Sequence, residues 1–516
     1  MVAAARRRLG AALASPFVRR LSLAAYTGGA IYLGYAARSV DDEQKKRSLP
    51  SGFRACCESR ALSPAQQALP DRLSAIVGAA HVEHAVEQRG SRLGRGEAFA
   101  VVRPGTLQEA IDALQACVDA DVCIIPQGAN TGLTGASVPR GAEAGVDRPT
   151  VVINLTRLNS IMPIDGGQRM VCLAGAGIHS VLQRAAGLGK ESHSVLGSIF
   201  LNPTTAAGIA FGSGGTQLRK GPVYTERLLY AKVDEAGKVV LVDTLGLKGS
   251  RQEKFAKLEE GSVAQEDVDP RCTLPASQTA YGASVCACDG RHGKQVARCN
   301  ADVSGPAPNR SEGKVLILAS VHDTFPKPKS ASTMWISVKD FATAQRLKRD
   351  VCLAGGASDL PVSVEYMDKD AVRAVDEAGR LLCYMICVVG IGPTLKALWD
   401  AKIRFEALPI PFAGIVADKL LFWFNPVLPN ALPGPIRNMT DQHEHHLIVT
   451  VGEFGDGEAE RFSRRLSIFE ALHPGATVVH RCTTDETPWV SYFRFAAAPA
   501  FRTWCIGRGS HSARVL

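Results

Sequence analysis

The chain has 516 residues, of which 46% are hydrophobic and 21% are charged, so it is long enough for two or three domains with packed cores. Its net charge of +9 is spread along the sequence without dense Lys/Arg blocks or interleaved aromatic residues, which argues against nucleic-acid binding. The 14 cysteines lack the four-ligand spacing of a zinc site, so buried free thiols in a reducing compartment are the better interpretation.

The N-terminal segment, residues 1–40, has the composition of a targeting signal. Its first 25 residues contain five arginines, and no acidic residue occurs before Asp41, which predicts a mitochondrial presequence. The uncharged apolar run at 21–37 is at the lower limit for crossing a bilayer, so it indicates either an inner-membrane anchor or an extension of the presequence. A secretory signal peptide is the alternative. The polar residues 41–72 are predicted to be a linker.

From about Leu73 onward, short apolar runs alternate with helical periodicity. A helix is predicted over 106–120 with Thr106 as its N-cap, and another over 177–189 ends at Gly187 and Gly189. The sequence also predicts an antiparallel hairpin at 228–246 that turns at Glu235, Ala236 and Gly237. The other early strands are predicted at AFAVVRP (98–104), VCIIP (122–126), TVVINL (150–155) and QRMVCLAGAG (168–177).

Periodicity fades between 247 and 312, which predicts a long loop or insertion. It returns with KVLILAS (314–320), a run typical of a buried strand, and a second α/β region follows from about Met334. Residues 408–437 combine aromatic and apolar side chains with several prolines. This composition favours a segment lying in a membrane interface, with Lys419 and Arg437 near acidic headgroups; a segment tucked into the core is the alternative.

The stretch IIPQGANTGLTGAS (124–137) is an apolar run that opens into a loop of small residues. It matches neither the G-x-G-x-x-G spacing nor a P-loop, yet such a loop can bind an anion through its backbone amides. An ordinary turn is the alternative. Two later stretches, HSVLGS (193–198) and NPTTAAGIAFGSGG (202–215), have the same small and polar character, and one extended ligand with a polyphosphate would explain all three.

In this order, QGANTGLTGAS, HSVLGS, GSGG and KGPVYTE resemble the FAD-binding domain of vanillyl-alcohol-oxidase-type flavoproteins. With DGRH, VEYMDKD and HEHHL added, the series more narrowly resembles the respiratory, quinone-linked D-lactate dehydrogenase family from about Leu73 to Trp504. The resemblance implies an α+β fold, with a PCMH-type FAD-binding domain at 73–330 and an α/β cap (substrate) domain at 331–504. The cap would carry the membrane-associating insertion near 408–437.

The resemblance also implies non-covalent FAD and assigns residues to it. At Ala136 the family usually has glycine, and we expect the extra methyl group to be tolerated. The residues expected to contact FAD are Ala129, Asn130, Thr131, Gly132, Leu133, Ala136, Ser137, Gly197, Thr204, Gly214 and Ile317.

Oxidation of a 2-hydroxy acid by a flavin needs a base for the hydroxyl proton, and histidine suits this role because its pKa lies near neutrality. The leading candidates are His443, His445 and His446 in DQHEHHL. If this segment is a strand, His443 and His445 share one face and His446 points to the other. A divalent-metal site and purely structural histidines are the alternatives, and no metal is predicted.

Five further residues are weaker candidates. His193 could face the flavin ring, Lys220 and Arg291 could hold the substrate carboxylate, and Glu365 and Tyr366 could shape the pocket. Each has an ordinary structural alternative.

The predicted function is FAD-dependent oxidation of a D-2-hydroxy acid, most readily D-lactate to pyruvate. The expected partners are a quinone or another respiratory acceptor and the surface of the mitochondrial inner membrane. A dehydrogenase for D-2-hydroxyglutarate or glycolate is one alternative. Residues 505–516 read as an atypical tail where the family continues with further active-site segments, so a C-terminally truncated, inactive flavin-binding or structural protein is the other alternative.

Overall fold

A computed structural model describes residues 61–508 except for 92–93, 133, 141–145, 194–200, 215–216, 280, 288–305, 391 and 407–412. These residues divide into two compact units, 61–327 and 328–508, which are described separately. The predicted targeting segment, Leu133, Gly197 and Arg291 lie outside the described residues.

The first unit opens with a four-stranded sheet flanked by two helices. Its strands have the order β1-β2-β4-β3, with β1 antiparallel to β2 and the other two pairings parallel. Thr106 caps the second helix as predicted, because its side chain accepts a hydrogen bond from the Glu109 N–H. The elements are α1 (Pro64–Val77), β1 (Val82–Arg89), β2 (Arg95–Val102), α2 (Leu107–Asp119), β3 (Cys123–Gln127) and β4 (Thr150–Asn154).

A five-stranded antiparallel sheet follows in the same unit, with the order β5-β6-β10-β8-β9. The predicted hairpin is confirmed as β8 and β9, and the predicted buried strand is confirmed as the central β10. The elements are β5 (Ile161–Ile164), β6 (Arg169–Leu173), α3 (Ile178–Ala186), β7 (Lys190–Glu191), α4 (Thr205–Ala210), β8 (Leu228–Val233), β9 (Val239–Asp243), β10 (Leu316–Asp323) and β11 (Phe325–Pro326), which pairs with β7.

The segment 247–312, predicted to be a long loop or insertion, contains two helices, α5 (Arg251–Glu260) and α6 (Tyr281–Ala287), so a loop throughout is wrong. Ser250 and Glu253 form a complete capping box at the start of α5. Only Phe255 and Leu258 of α5 are buried, so the helix shows too few apolar residues for a clear 3.6-residue period.

One hydrophobic core joins the two large sheets with helices α1, α2 and α5 of the first unit. It includes Leu73 of α1, Leu114 of α2, Ile153 of β4, Leu229 of β8 and Leu318 of β10. Residues of β10 are buried over Leu316–Val321, which explains why this strand reads as a continuous apolar run.

The second unit is built on an antiparallel sheet with the order β13-β14-β12-β15. Alternate residues face two cores: Ile336 and Leu447 belong to one, and Trp335 and Ile448 belong to the other. Its elements are β12 (Ser330–Val338), α7 (Phe341–Leu347), β13 (Ser363–Asp368), α8 (Lys369–Ala378), α9 (Arg380–Val389), α10 (Pro393–Glu406), α11 (Ala413–Phe424), α12 (Gly434–Gln442), β14 (His445–Glu453), α13 (Glu458–Leu472), β15 (Thr477–Arg481), α14 (Thr487–Phe495) and α15 (Ala497–Arg508).

Helix α11 occupies the middle of the predicted membrane-associating segment. Leu420 and Trp423 leave 47% and 41% of their surface exposed, whereas Lys419 is buried and donates to the Gly507 carbonyl. The expected contact of Lys419 with headgroups is therefore wrong. None of the helices in the described ranges is both long and apolar enough to cross a bilayer.

Residues 505–508, predicted to begin an atypical tail, form the last turn of α15. Cys505 and Ile506 are buried there, and Ile506 packs against Ile415 of α11. These contacts order the segment although its sequence shows no helical period.

Candidate functional site

The glycine-rich loop leaves the carboxyl end of β3 and is held there by side-chain amides. Gln127 and Asn154 are partners at the ends of β3 and β4. The Asn154 amide donates to the Gln127 side chain at 2.7 Å and to the Gly128 carbonyl at 3.1 Å. The Gln127 amide donates in turn to the Ser137 carbonyl at 2.7 Å, and so ties the two ends of the loop together.

A second set of hydrogen bonds fixes the middle of the loop. The Ser137 hydroxyl donates to the Asn130 side chain at 2.7 Å, and the Asn130 amide donates to the Arg89 carbonyl at 2.7 Å. Asn130 has a φ of 53°, a left-handed conformation that asparagine adopts more readily than most residues. The loop therefore has a defined shape rather than that of an open turn.

The loop forms one wall of a cavity of about 350 Å³ in the first unit, and α4 and β10 supply other walls. The structure brings together most of the residues expected to contact the cofactor. Those that line the cavity are Ala129, Asn130, Thr131, Gly132, Ala136, Ser137, Thr204 and Ile317. Gly214 does not line it, because the chain turns where the Ser213 N–H donates to the Gly208 carbonyl, and Gly214 is exposed.

Two glycines of the loop have different roles: one lets the loop pack against α4, and the other leaves the backbone open to the cavity. A Cβ placed on Gly128 would lie 2.2 Å from the Thr204 hydroxyl oxygen, so only glycine lets the loop pack against the start of α4. A Cβ placed on Gly132 would meet no atom within 4 Å. Gly132 therefore exposes its backbone to the open cavity, as an anion held by amides requires.

The charge of the cavity wall is unusual for a phosphate site. Among the described residues that line it, Glu312 is the one charged side chain, so hydroxyl groups and backbone N–H groups are the donors available there. Sequence reasoning missed Gln127 and Gly128, although both directly precede the predicted contacts. It also missed Phe211, although this residue lies within the predicted stretch 202–215, and Glu312, for which the sequence shows no local pattern.

The three candidate histidines lie in the second unit, and the structure does not bring all three together. His443 follows the end of α12, where its Nδ1 donates to the Met439 carbonyl at 3.1 Å. The prediction that His443 shares a strand face with His445 is wrong, because β14 starts only at His445. His445 and His446 are successive strand residues and point to opposite faces, as predicted.

His445 is partly exposed and is held among aromatic rings. Its Nδ1 lies 2.6 Å from the Tyr366 hydroxyl, and the two rings stack with their centroids 6.0 Å apart. Phe341 contributes a third ring at 6.1 Å. His445 is thus a positioned imidazole with access to solvent.

His446 has a different environment. It is fully buried beside Trp335, and its Nδ1 lies 2.8 Å from the Ser337 hydroxyl. Its Nε2 makes no hydrogen bond within the described residues. Burial, with the nearby His443 and His445, lowers the pKa of His446 to about 4, so the ring stays neutral near pH 7.

Two of the weaker candidates form ion pairs inside the protein. Lys220 is buried and forms an ion pair with Glu191, and burial lowers its pKa. Glu365 forms an ion pair with Arg494, whose pKa burial lowers to about 10. Because Lys220 and Glu365 are already paired, their charges are not available to bind a substrate carboxylate or to line a substrate pocket.

His193 packs against His322, with their ring centroids 4.9 Å apart and both side chains buried. The His322 Nε2 lies 2.9 Å from the Ser320 hydroxyl. Burial and the neighbouring His193 hold the pKa of His322 well below its ordinary value. Across the parts of the chain that the structure describes, no group of three or more His, Cys, Asp or Glu side chains is placed to hold a metal ion.

Comparison with known proteins identifies the class. Residues 98–242 match the family model described as "FAD binding domain", and residues 333–514 match the model described as "D-lactate dehydrogenase, membrane binding". The solved structure of p-cresol methylhydroxylase with substrate bound covers 86% of this chain and 73% of that chain with a TM-score of 0.50 and 10% identity, which shows a shared fold alone. The protein is a membrane-associated flavoprotein with an α+β, PCMH-type fold.

Two curated relatives define the family. The quinone-dependent D-lactate dehydrogenase of Corynebacterium glutamicum is 32% identical over 467 residues, which cover 86% of this chain and 78% of the relative. That of Escherichia coli (strain K12) is 30% identical over 84% of this chain and 76% of the relative. The chain belongs to the quinone-dependent D-lactate dehydrogenase family.

The cavity fits the FAD that this class binds. Gly132 leaves its backbone open to a diphosphate, Ala136 and Ser137 line the cavity beside it, and Thr204 lines it from the start of α4. The extra methyl group of Ala136 lies on the cavity wall, where the family usually has glycine.

Proposed function

We propose that this protein oxidises D-lactate to pyruvate with FAD in the cavity of the first unit and passes the electrons to a quinone. The observation that carries the proposal is the match to quinone-dependent D-lactate dehydrogenases over 86% and 84% of the chain. The cavity built by the glycine-rich loop supports it, because its wall suits a dinucleotide. Bound FAD supplies the two-electron acceptor that the substrate carbon needs.

His445 is our candidate for the base that removes the hydroxyl proton. A base must be accessible and held in position, and His445 combines partial exposure with its 2.6 Å contact to Tyr366. His446 is excluded from direct proton transfer with a substrate in this conformation, because its side chain is fully buried. The Nδ1 of His443 donates to a carbonyl, which leaves its Nε2 as the second choice.

The test is anaerobic reduction of the bound flavin by D-lactate, L-lactate, glycolate and D-2-hydroxyglutarate. We expect D-lactate to bleach the flavin fastest. In His445→Gln the rate of bleaching should fall by about 10²–10⁴-fold, the usual contribution of a general base, while flavin content stays unchanged. His443→Gln is the matched control and should be affected less.

Each outcome of this test bears on one part of the proposal. A flavin that stays oxidised with all four acids would contradict the dehydrogenase function. Bleaching by D-2-hydroxyglutarate or glycolate in preference to D-lactate would support the alternative substrates. Bleaching of His445→Gln at the rate of the unaltered protein would exclude His445 as the base.

We further propose that α10 and α11 contact the membrane. Five large apolar side chains are exposed on these two helices, and Arg404 is exposed on α10. Exposed apolar groups near a basic side chain suit the boundary between headgroups and acyl chains. The five side chains are Leu398, Phe405, Leu420, Trp423 and Phe424.

Vesicle sedimentation tests this surface. The double variant Leu420→Ser with Trp423→Ser should bind anionic lipid vesicles at least about tenfold more weakly, because two side chains that enter the interface are lost. Leu472→Ser is the control, since Leu472 is exposed at the end of α13 in the same unit. Equal binding of the double variant and the control would argue against α11 as the contact.

Mitochondrial import is also our proposal, supported by the arginine-rich, acid-free composition of residues 1–40. Fusing these residues to a fluorescent protein should direct it to mitochondria. Secretion of the fusion would favour the signal-peptide alternative instead.

A further inference from the structure

The rim of the cavity carries two side chains that the glycine-rich loop does not explain. Phe211 ends α4 and lines the cavity while 49% of its surface is exposed. Glu312 lines the cavity from the segment before β10 and is also exposed. A ligand group that binds at this rim must be able both to stack on an aromatic ring and to donate hydrogen bonds to a carboxylate.

Backbone contacts place these two residues side by side. The Glu312 N–H donates to the Ala210 carbonyl at 2.9 Å, directly before Phe211. The Arg310 N–H donates to the Ile209 carbonyl at 3.0 Å, which pins the same segment to the end of α4. Glu312 holds a φ of 52°, a conformation that costs a non-glycine residue energy and that these two hydrogen bonds maintain.

The opposite side of Glu312 is equally fixed. Its neighbour Gly313 has a φ of +91°, and a Cβ at this position would lie 3.5 Å from Pro126 of β3. The segment therefore bridges α4 and the strand that leads into the glycine-rich loop. Glu312 is held at a defined place on the wall by contacts on both sides.

The negative charge of Glu312 limits which part of a dinucleotide can bind at this rim. A carboxylate repels the diphosphate, and Glu312 is the one charged group among the described lining residues. The same carboxylate accepts hydrogen bonds from hydroxyl groups. The ligand group at Glu312 must therefore offer hydroxyl donors, while the diphosphate lies toward Gly132.

FAD has two such polyol groups, the ribityl chain and the ribose of the adenosine half. The exposure of Phe211 distinguishes them: its half-exposed ring offers a purine a stacking surface that is open to solvent. The flavin ring, at which hydride is transferred, instead needs a site that excludes water. We propose that the Phe211–Glu312 rim binds the adenosine half of FAD, with Phe211 against the purine and Glu312 accepting from the ribose hydroxyls. This inference rests on FAD binding in the cavity.

The experiment measures flavin binding rather than turnover. The dissociation constants of FAD and FMN are determined by fluorescence on protein from which the flavin has been removed, for the unaltered chain, Phe211→Ala, Glu312→Ala and Glu312→Gln. FMN has the ribityl chain but lacks the adenosine half. We expect Phe211→Ala and Glu312→Ala each to weaken FAD binding about tenfold, the loss of one stacking or charged hydrogen-bond contact, and to leave FMN binding unchanged.

Glu312→Gln separates the two roles of the carboxylate. Glutamine still accepts a hydrogen bond from a hydroxyl group, so it should bind FAD more tightly than alanine does at this position. The controls are Leu472→Ala, which removes an exposed apolar side chain from the end of α13 in the second unit, and Glu235→Gln, which alters an exposed carboxylate in the β8–β9 turn. Both should bind FAD and FMN like the unaltered chain.

Two results would overturn the proposal. Equal weakening of FAD and FMN by the rim variants would place the ribityl half at Phe211 and Glu312. Unchanged FAD binding in Phe211→Ala and Glu312→Ala would show that the rim does not contact the cofactor. If the unaltered chain bound neither flavin, the proposed function itself would fail, and circular dichroism identifies any variant that does not fold.

Discussion

Replacing Gly132 with leucine is expected to remove FAD from the protein without unfolding it. The Cβ meets no atom within 4 Å, so the new side chain does not press on the protein and instead enters the cavity. There it blocks the approach of the diphosphate to the loop amides. Losing one or two hydrogen bonds to a charged group, each worth about 1.5–3 kcal/mol, weakens FAD binding roughly 100-fold.

The measurement is flavin content after purification, together with the dissociation constant of added FAD and the denaturant midpoint of the flavin-free protein. Gly392→Leu is the matched control, because a Cβ at Gly392 also meets no atom within 4 Å and Gly392 does not line the cavity. The control should keep its flavin. Full flavin occupancy in Gly132→Leu would show that the diphosphate lies elsewhere.

Replacing Asp418 with alanine is expected to destabilise the packing of α10, α11 and α15. Asp418 is fully buried in α11, and its carboxylate accepts from the Thr503 hydroxyl at 2.8 Å. Arg502 lies 3.1 Å from the same carboxylate, and Lys402 lies 3.6 Å from it. Breaking a buried charge cluster by removing one member typically costs about 3–5 kcal/mol, since the remaining charges lose their partner.

Amide hydrogen exchange of the three helices measures this change as a lower free energy of opening. Asp418→Asn should have an intermediate effect, because the amide oxygen can still accept from Thr503. Asp370→Ala is the control, since its ion pair with Arg373 on α8 is solvent-exposed and such pairs contribute little. Equal exchange in Asp418→Ala and Asp370→Ala would mean that the buried cluster does not hold the helices together.

Much of the fold could be predicted because its signals are local. The alternation along 228–246 specified the β8–β9 hairpin, and Thr106 marked the start of α2. The glycine-rich loop could also be found, because small residues after a strand are a local pattern. No local pattern joins Thr204 and Ile317, which are far apart in sequence, so their place on one cavity wall was expected only from the family resemblance.

The errors in prediction have physical causes. The apolar period of α5 is weak because only two of its residues are buried, although the Ser250 and Glu253 capping box was present in the sequence. His443 was misplaced because α12 continues to Gln442, and the tertiary packing of Ile436 and Met439 extends the helix up to the histidines. Glu312 is brought to the end of α4 by a backbone hydrogen bond to Ala210, which no sequence pattern marks.

The position of β10 in the centre of its sheet also bears on the order of folding. β10 pairs with β6 and β8, which precede it by long stretches of chain, so these pairings close large loops and form slowly compared with the hairpin β8–β9. Val315 and Ile317 reach the cavity wall only through this late strand. A nascent chain that has not yet inserted β10 therefore has the glycine-rich loop but lacks one wall of the cavity. Full retention of the cofactor then indicates that the sheet has been completely assembled.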